Sequence, residues 1–157
     1  ILTLAWGSVV RQLAAGLGVE IEEIRESHVK VPAPEDFDIP PGHVPKGTMA
    51  GLRFEVQGIV NGRPAIVLEH VTRLRDDIAP DWPKPLAGSG CYRVVIEGNP
   101  STTCELLMHG EDGDHNTGNL VATALRILNA IPAVCAAKPG LLSALDLPLI
   151  TGKHLLR

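Results

Sequence analysis

Residues 47–74, GTMAGLRFEVQGIVNGRPAIVLEHVTRL, contain the pattern that most restricts what this chain can fold into. Apolar and polar residues alternate from 52 to 56, and a period of two indicates a β-strand with one buried face. Asn61 and Gly62 follow, and both residue types tolerate the positive φ angles of a tight hairpin turn. Residues 65–74 are therefore predicted to return as a second, antiparallel strand.

The length of the hairpin loop decides which residue of the second strand shares the buried face with Phe54. A loop of two or four residues places Glu69 on that face, whereas a three-residue loop with a glycine bulge places His70 there. In both registers one polar side chain lies among apolar neighbours. This side chain either lies at an edge of the sheet or is a core group whose hydrogen bonds are satisfied, or it forms part of the floor of a ligand site.

The composition indicates a single globular domain. The 157 residues are 45% hydrophobic and 20% charged, and aromatic residues make up only 3%, so the core is expected to be aliphatic. The net charge is −4 and no basic patch is interleaved with aromatics, which argues against nucleic acid as a partner. No apolar run is long enough to predict a membrane span. The chain begins with isoleucine, so a fragment and a free-standing domain are both compatible with it.

Motifs for metal, redox and dinucleotide chemistry are missing from the sequence. Cys91, Cys104 and Cys135 form no CxxC pair, and we expect them to be small buried residues of a cytoplasmic protein. The six histidines form no HxH or HxxxH pair, which predicts no metal site. The G-x-G pieces lack the third glycine of a dinucleotide fingerprint, so this chain alone is not expected to bind a nicotinamide cofactor.

The remaining segments predict helices at both ends of the chain and further strands between them. We expect a helix over residues 1–15, a strand over 19–31, and a second hairpin formed by 91–98 and 102–109. The proline-rich connection VPAPEDFDIPPGHVPKG is expected to lack regular structure. The predicted fold class is α+β: a mainly antiparallel sheet of five or six strands with helices packed on one face.

A polar loop, GEDGDHNTG, leads into the last long helix. Asn116 or Thr117 is the expected N-cap, and Pro132 is expected to begin a short second helical piece. His115 lies next to the helix N-terminus, where backbone N–H groups and the helix dipole favour an anionic ligand group. The alternative is a solvent-exposed loop histidine beside an ordinary cap.

Three stretches carry a family resemblance: GTMAGLRFEVQGIVNGRPAIVLEHVTRLRDDIAPDWP, HNTGNLVATALRILNAIPAVCAAKPGL and DLPLI. They resemble the C-terminal part of 2,4-diaminopentanoate dehydrogenases, native amine dehydrogenases and dihydrodipicolinate reductase-like proteins. The resemblance implies that residues 1–157 are the substrate-binding and dimerisation domain of an NAD(P)-dependent oxidoreductase. The family's catalytic carboxylate and cofactor site belong to a Rossmann domain, so no catalytic residue is assigned here.

The resemblance also implies a homodimer and a pocket for a small amine, amino acid or ketone at the domain boundary. We expect seven residues to contribute to it, namely His115, Asn116, Thr117, Trp82, His70, Glu69 and Arg25. They would supply donors at a helix start, a flat wall and a charged or switchable group. Arg25 would bind a carboxylate if its side chain turns inward. The alternative function is a non-catalytic, free-standing module for ligand binding or oligomerisation.

Overall fold

The computed structural model describes residues 2–152, and the chain divides into two compact units, Ile1–Pro83 and Lys84–Arg157. The first unit contains α1 (Leu2–Leu17), β1 (Glu23–Pro32), β2 (Phe37–Ile39), β3 (Gly42–Val44), β4 (Met49–Val60) and β5 (Arg63–Arg73). The second contains β6 (Tyr92–Ile96), β7 (Thr102–Leu106) and α2 (His115–Ala136).

The predicted hairpin forms the centre of an antiparallel sheet with strand order β1-β4-β5. Asn61 and Gly62 both have positive φ, 51° and 73°, as a two-residue type I′ turn requires. The carboxylate of Glu22 accepts hydrogen bonds from both of their backbone N–H groups, at 2.8 and 3.0 Å. The turn is therefore fixed by a contact from outside the hairpin as well as by its own two residues.

The register of the hairpin is set by a β-bulge next to the turn. The two-residue turn alone would place Glu69 opposite Phe54. The ladder shifts beside Gly58, where β5 carries one extra residue, Ala65, and beyond it Phe54 pairs with His70. The structure thus combines a two-residue loop with the register that was expected only for a three-residue loop. His70 is therefore the residue that shares the face of the sheet with Phe54.

Helix α1 covers that face of the sheet. Its residues Val10 and Ala14 are buried against Phe54 and Val56, with Trp6 one turn before them on the same side. The helix ends at Gly18, whose φ is 68°, and the hydrogen bonds Val19 N–H to Ala14 O and Gly18 N–H to Ala15 O form a Schellman cap. The main apolar core of the first unit therefore lies between α1 and the α1 side of the sheet.

The proline-rich connection is not irregular throughout, contrary to expectation. Strands β2 and β3 pair with each other as a short hairpin, and Phe37 and Val44 from it pack with Ala50 and Ile78 in a second apolar cluster. Three-residue strands fit between the prolines because their ladder needs only a few backbone N–H groups. In the loop that follows β5, Trp82 is 7% exposed and holds that loop against the sheet.

The second unit consists of the β6–β7 hairpin and the 22-residue helix α2. The helix continues through Pro132, so the expected separate helical piece is wrong. By length and composition α2 could cross a membrane, a test that core helices of soluble proteins also pass. Gly118 is the one buried residue among residues 84–152. Cys104 and Cys135 were expected to be buried, but both are exposed.

The fold class is α+β with antiparallel sheets, as predicted, but the single sheet of five or six strands is wrong. The strands form one three-stranded and two two-stranded sheets within the described part of the chain. In the described residues each short hairpin has ladder pairing only between its own two strands, because the connections on either side of it are rich in proline or glycine and do not extend its strands.

Replacing Gly58 with Ala should destabilise the first unit by about 1–3 kcal/mol. A Cβ on Gly58 would lie 2.6 Å from Cγ1 of Val10, which is fully buried and has a stiff side chain. Urea unfolding would measure the change in the free energy of unfolding. Gly98→Ala is the control, because its Cβ would meet nothing closer than 3.6 Å; equal stability of the two variants would contradict the tight packing of α1 on β4.

Candidate functional site

Four ring side chains meet at one end of the α1–sheet interface. His28, Phe54 and His70 occupy one row across β1, β4 and β5, and Trp6 of α1 lies over the row. The Phe54 and His70 rings stack with centroids 4.9 Å apart, and Trp6 meets them edge-on at 5.0 and 5.9 Å. In a chain with 3% aromatic residues, this concentration makes a rigid end of the core between α1 and the sheet.

His70 is held by a second contact besides the stacked ring. Its Nε2 lies 2.6 Å from Oγ1 of Thr72, the next residue of β5 on the same face. Thr72 also lines an apolar cavity of about 130 Å³ at the end of the sheet, whose other walls are Met49, Ala50, Gly51, Leu52 and Leu74. Thr72 thus lies between the cavity and the imidazole of His70.

The outer strand contributes an acidic group to the same face of the sheet. Glu26 accepts a hydrogen bond from the hydroxyl of Thr3, which lowers the pKa of its carboxyl group. His28 Nε2 lies 3.4 Å from the other oxygen of this carboxylate. These contacts tie the start of α1 to β1 and fix the edge of the aromatic row.

Two of the predicted site residues lie on the other face of the sheet. Glu69 bonds Arg53 at 2.6 Å, and Arg53 also reaches Glu55. Arg25 is exposed and bonds Glu23 at 2.8 Å, which raises the pKa of its guanidinium group. Arg25 does not turn inward, because it occupies the strand position between two residues that face α1.

The N-terminus of α2 is capped by Asp114, not by Asn116 or Thr117 as expected. The Asp114 carboxylate accepts from the backbone N–H of Thr117 at 2.7 Å, and this bond lowers the pKa of the carboxyl group. The position that would attract an anionic ligand group is therefore filled by a carboxylate of the chain itself.

The imidazole of His115 is enclosed by its own unit. Nδ1 lies 3.2 Å from the carbonyl oxygen of Met108, and Nε2 lies 2.8 Å from the side-chain nitrogen of Asn119. Both contacts are satisfied when Nδ1 carries the proton and Nε2 accepts. The ring also fills the space beside Gly90, where a Cβ would approach Nε2 to within 2.3 Å. This geometry holds the loop before α2 in place.

A second cavity, of about 510 Å³, lies beside the first turns of α2. It is lined by His109, Gly110, Glu111, Asp112, Thr117, Gly118 and Val121. Thr117 is the predicted site residue that reaches it, whereas His115 is not part of its lining. Gly118 permits the close approach of the loop, since a Cβ there would meet the backbone of His109 at 2.5 Å.

The structure brings some of the predicted residues near a cavity and leaves others outside. His70 lies next to the cavity of the first unit, and the ring of Trp82 packs on the opposite side of Gly51, one of that cavity's walls. The expected meeting of the His115–Thr117 loop with the sheet stays a prediction. Thr72 was missed, although its spacing of two from His70 was a signal that both share a face.

Metal ligands do not cluster in the described part of the chain. Within residues 2–152, no three side chains drawn from His, Cys, Asp and Glu are grouped so that they could hold an ion.

The chain is similar to proteins of the amine dehydrogenase type. Residues 5–154 match the model of the 2,4-diaminopentanoate dehydrogenase C-terminal domain. An "Amine dehydrogenase" of Streptomyces virginiae is 42% identical over 149 residues, which are 94% of this chain and 41% of that protein. The chain therefore spans well under half the length of this relative.

The fold is similar to that of an amine dehydrogenase from Mycobacterium smegmatis. The TM-score is 0.63 at 20% sequence identity, and the match covers 92% of this chain and 38% of the other. At this identity the likeness concerns the fold, and it extends over both units of the chain.

Replacing His115 with Ala should lower the free energy of unfolding by about 1–3 kcal/mol, the scale of two lost hydrogen bonds. The expected cause is release of Met108 and Asn119 from the ring that bridges them. Urea unfolding would measure it, with Asn116→Ala, one position along the helix and exposed, as the control. Unchanged stability together with a large rise in the KM of a complete enzyme would instead make His115 a substrate contact.

Proposed function

Because the chain belongs to the family of 2,4-diaminopentanoate dehydrogenase C-terminal domains, we propose that it is the substrate-binding and dimerisation domain of an NAD(P)-dependent, amine dehydrogenase-like oxidoreductase of the cytoplasm. The substrate is a small amine, amino acid or ketone. The observation that carries this proposal is the family match, which extends over residues 5–154. Cofactor binding and the catalytic carboxylate are assigned to a separate Rossmann domain.

The substrate side of the first unit is the end of the sheet that bears His70. The rigid aromatic row and the adjoining apolar cavity provide walls, and the His70–Thr72 pair provides a polar group, as small-molecule sites require. Trp82 supports this end from the other face, where it packs beside Gly51. Arg25 and Glu69 lie on the outer face and are not part of this proposed contact surface.

In the second unit we propose Thr117 as the group that reaches a ligand. It lines the cavity beside α2, and both its backbone N–H and its hydroxyl bond the carboxylate of Asp114. His115 and Asn116 belong to the same turn of the helix, where His115 positions the loop through its two ring contacts.

The dimerisation role is supported by the exposed apolar surface of α2. Residues spaced four and three apart form a continuous exposed stripe, which we call the α2 stripe: Leu120, Ala124, Ile127, Ile131 and Val134. Leu120 is 73% exposed and Ile127 is 67% exposed. The one Lys, Arg, Asp or Glu of α2 is Arg126, which donates to the carbonyl oxygen of Ile150. An apolar, charge-poor helix face of this spacing is suited to pack on its own copy.

A charge placed on the α2 stripe should abolish the dimer. At tens of micromolar, light scattering should give a dimeric mass for the wild-type chain and a monomeric mass for Leu120→Asp, because a carboxylate in an apolar interface is costly to desolvate. Leu86→Asp is the matched control, since Leu86 is 85% exposed outside any helix or strand. A monomeric wild-type chain, or a dimeric Leu120→Asp variant, would contradict this role.

The oxidoreductase assignment has its own test in cofactor use. Calorimetry of the 157-residue chain with NADP should show no micromolar binding, because the chain carries no phosphate-binding glycine loop. A complete protein that contains this chain should reduce NAD or NADP when it is supplied with small aliphatic amines. The absence of any such activity across a panel of amines and amino acids, or tight NADP binding by the chain alone, would overturn the assignment.

A further inference from the structure

We infer that Asn61 is a modification site of the folded chain: its side-chain amide reacts with the backbone nitrogen of Gly62, and the carboxylate of Glu22 suppresses that reaction. The observations behind it are the exposed Asn61–Gly62 turn and the hydrogen bonds that Glu22 accepts from both of its backbone N–H groups, at 2.8 and 3.0 Å. Water is the only co-reactant, so the reaction depends neither on a cofactor nor on the proposed oxidoreductase activity.

Asn61 is the one asparagine of the sequence that is followed by glycine. Gly62 has no Cβ, which leaves its backbone nitrogen open to the neighbouring side chain. Asn99 precedes a proline, which has no backbone N–H to react. The remaining asparagines lie in α2, where the backbone N–H that follows each of them is bonded within the helix or by its cap: Asn116, Asn119 and Asn129. Asn61 is therefore the asparagine with the best access to its neighbour's nitrogen.

The covalent step exchanges one amide nitrogen for another at the side-chain carbonyl carbon of Asn61. The backbone nitrogen of Gly62 gives up its proton and bonds to that carbon, and the bond from the carbon to the side-chain nitrogen breaks. The side-chain nitrogen takes up a proton and leaves as ammonia, so that a cyclic imide remains. Water then opens the imide at either carbonyl to give aspartate or isoaspartate, and nothing is oxidised or reduced.

The charge of Glu22 opposes the first part of this step. The attacking species is the deprotonated backbone nitrogen of Gly62, and Oε2 of Glu22 lies 3.0 Å from that nitrogen. A negative charge at this distance disfavours the formation of a second one. The hydrogen bond also stabilises the N–H form, which does not attack. Both effects lower the population of the reactive nitrogen.

The geometry of the turn acts in the same direction. Asn61 has a φ of 51°, and ring closure requires a rotation of the backbone between Asn61 and Gly62 that breaks the type I′ turn. Glu22 resists this rotation, because its other oxygen accepts from the N–H of Asn61 at 2.8 Å. The position of Glu22 is itself fixed, since its backbone N–H donates to the carbonyl oxygen of Ile59 at 2.9 Å.

The product alters the hairpin that lies at the centre of the sheet. Aspartate adds a negative charge in the turn that the Glu22 carboxylate contacts, and isoaspartate also adds a carbon to the main chain within the turn. A type I′ turn joins antiparallel strands only with its own backbone geometry. Modification should therefore weaken the pairing of β4 with β5, the strands that carry Phe54 and His70.

The rate of ammonia loss at Asn61 tests the inference, and peptide mapping by mass spectrometry of the 157-residue chain would follow it. Glu22→Gln keeps the size of the side chain and removes its charge. We expect it to raise the rate about tenfold, the lower end of the effect that a charge within hydrogen-bond distance has on a proton equilibrium. Glu20→Gln is the matched control, because it removes the same charge from an exposed position on the same segment, and it should react at the wild-type rate.

Amide hydrogen exchange at Gly62 is the second measurement, because it reports removal of the same proton without the covalent step. Exchange at Gly62 should accelerate in Glu22→Gln, whereas the amide of Val10, which is fully buried in α1, should keep its protection and so show that the first unit stays folded. In concentrated urea, where the turn is lost, the wild-type chain should lose ammonia faster than it does when folded.

Equal rates for the wild-type chain and Glu22→Gln would overturn the inference, and a slower variant would make Glu22 a base that promotes the reaction instead. Ammonia loss from other asparagines ahead of Asn61 would contradict the choice of site. The chain enriched in isoaspartate should unfold at a lower urea concentration than the fresh chain, and equal midpoints would contradict the effect on the hairpin.

Discussion

One extra residue in β5 decides what the α1 face of the sheet presents. Side chains alternate along a strand, so a shift of one residue moves every side chain beyond it to the other face. The bulge at Ala65 places His70 and Thr72 beside Phe54 and sends Glu69 to the outer face, where it pairs with Arg53. Without that bulge Glu69 would lie opposite Phe54 in place of His70, and the stacked aromatic row would not form.

The two units bury their apolar side chains to different extents. In the first, α1 and the β2–β3 hairpin enclose two apolar clusters. In the second, the hydrophobic residues of α2 are exposed along most of the helix, although the apolar face of a helix is normally packed against a core. A hydrophobic helix surface of this extent in water has a free-energy cost that packing against another chain removes. The two proposed roles, ligand contact on the first unit and assembly on the second, rest on this difference.

Local signals predicted local structure well, and the errors arose where tertiary packing decides. The Asn61–Gly62 turn and helix α1 follow from residues adjacent in sequence, and both are present. The register at His70 depends on a bulge that the turn residues do not predict, since the extra residue is an ordinary alanine. The cap of α2 was misassigned because several residues that can cap a helix stand close together, and only the backbone shows that Asp114 has extended φ and ψ.

The capping carboxylate also restricts the ligand chemistry of the second unit. The hydrogen bond from the backbone lowers the pKa of Asp114, so its carboxylate stays ionised at neutral pH. Its negative charge then offsets the positive end of the helix dipole at the N-terminus of α2. The neighbouring cavity has Glu111 and Asp112 in its lining. A ligand carboxylate would therefore meet like charge there instead of free N–H groups, at an energetic disadvantage. The electrostatics of this cavity therefore favour a neutral or cationic group over a carboxylate.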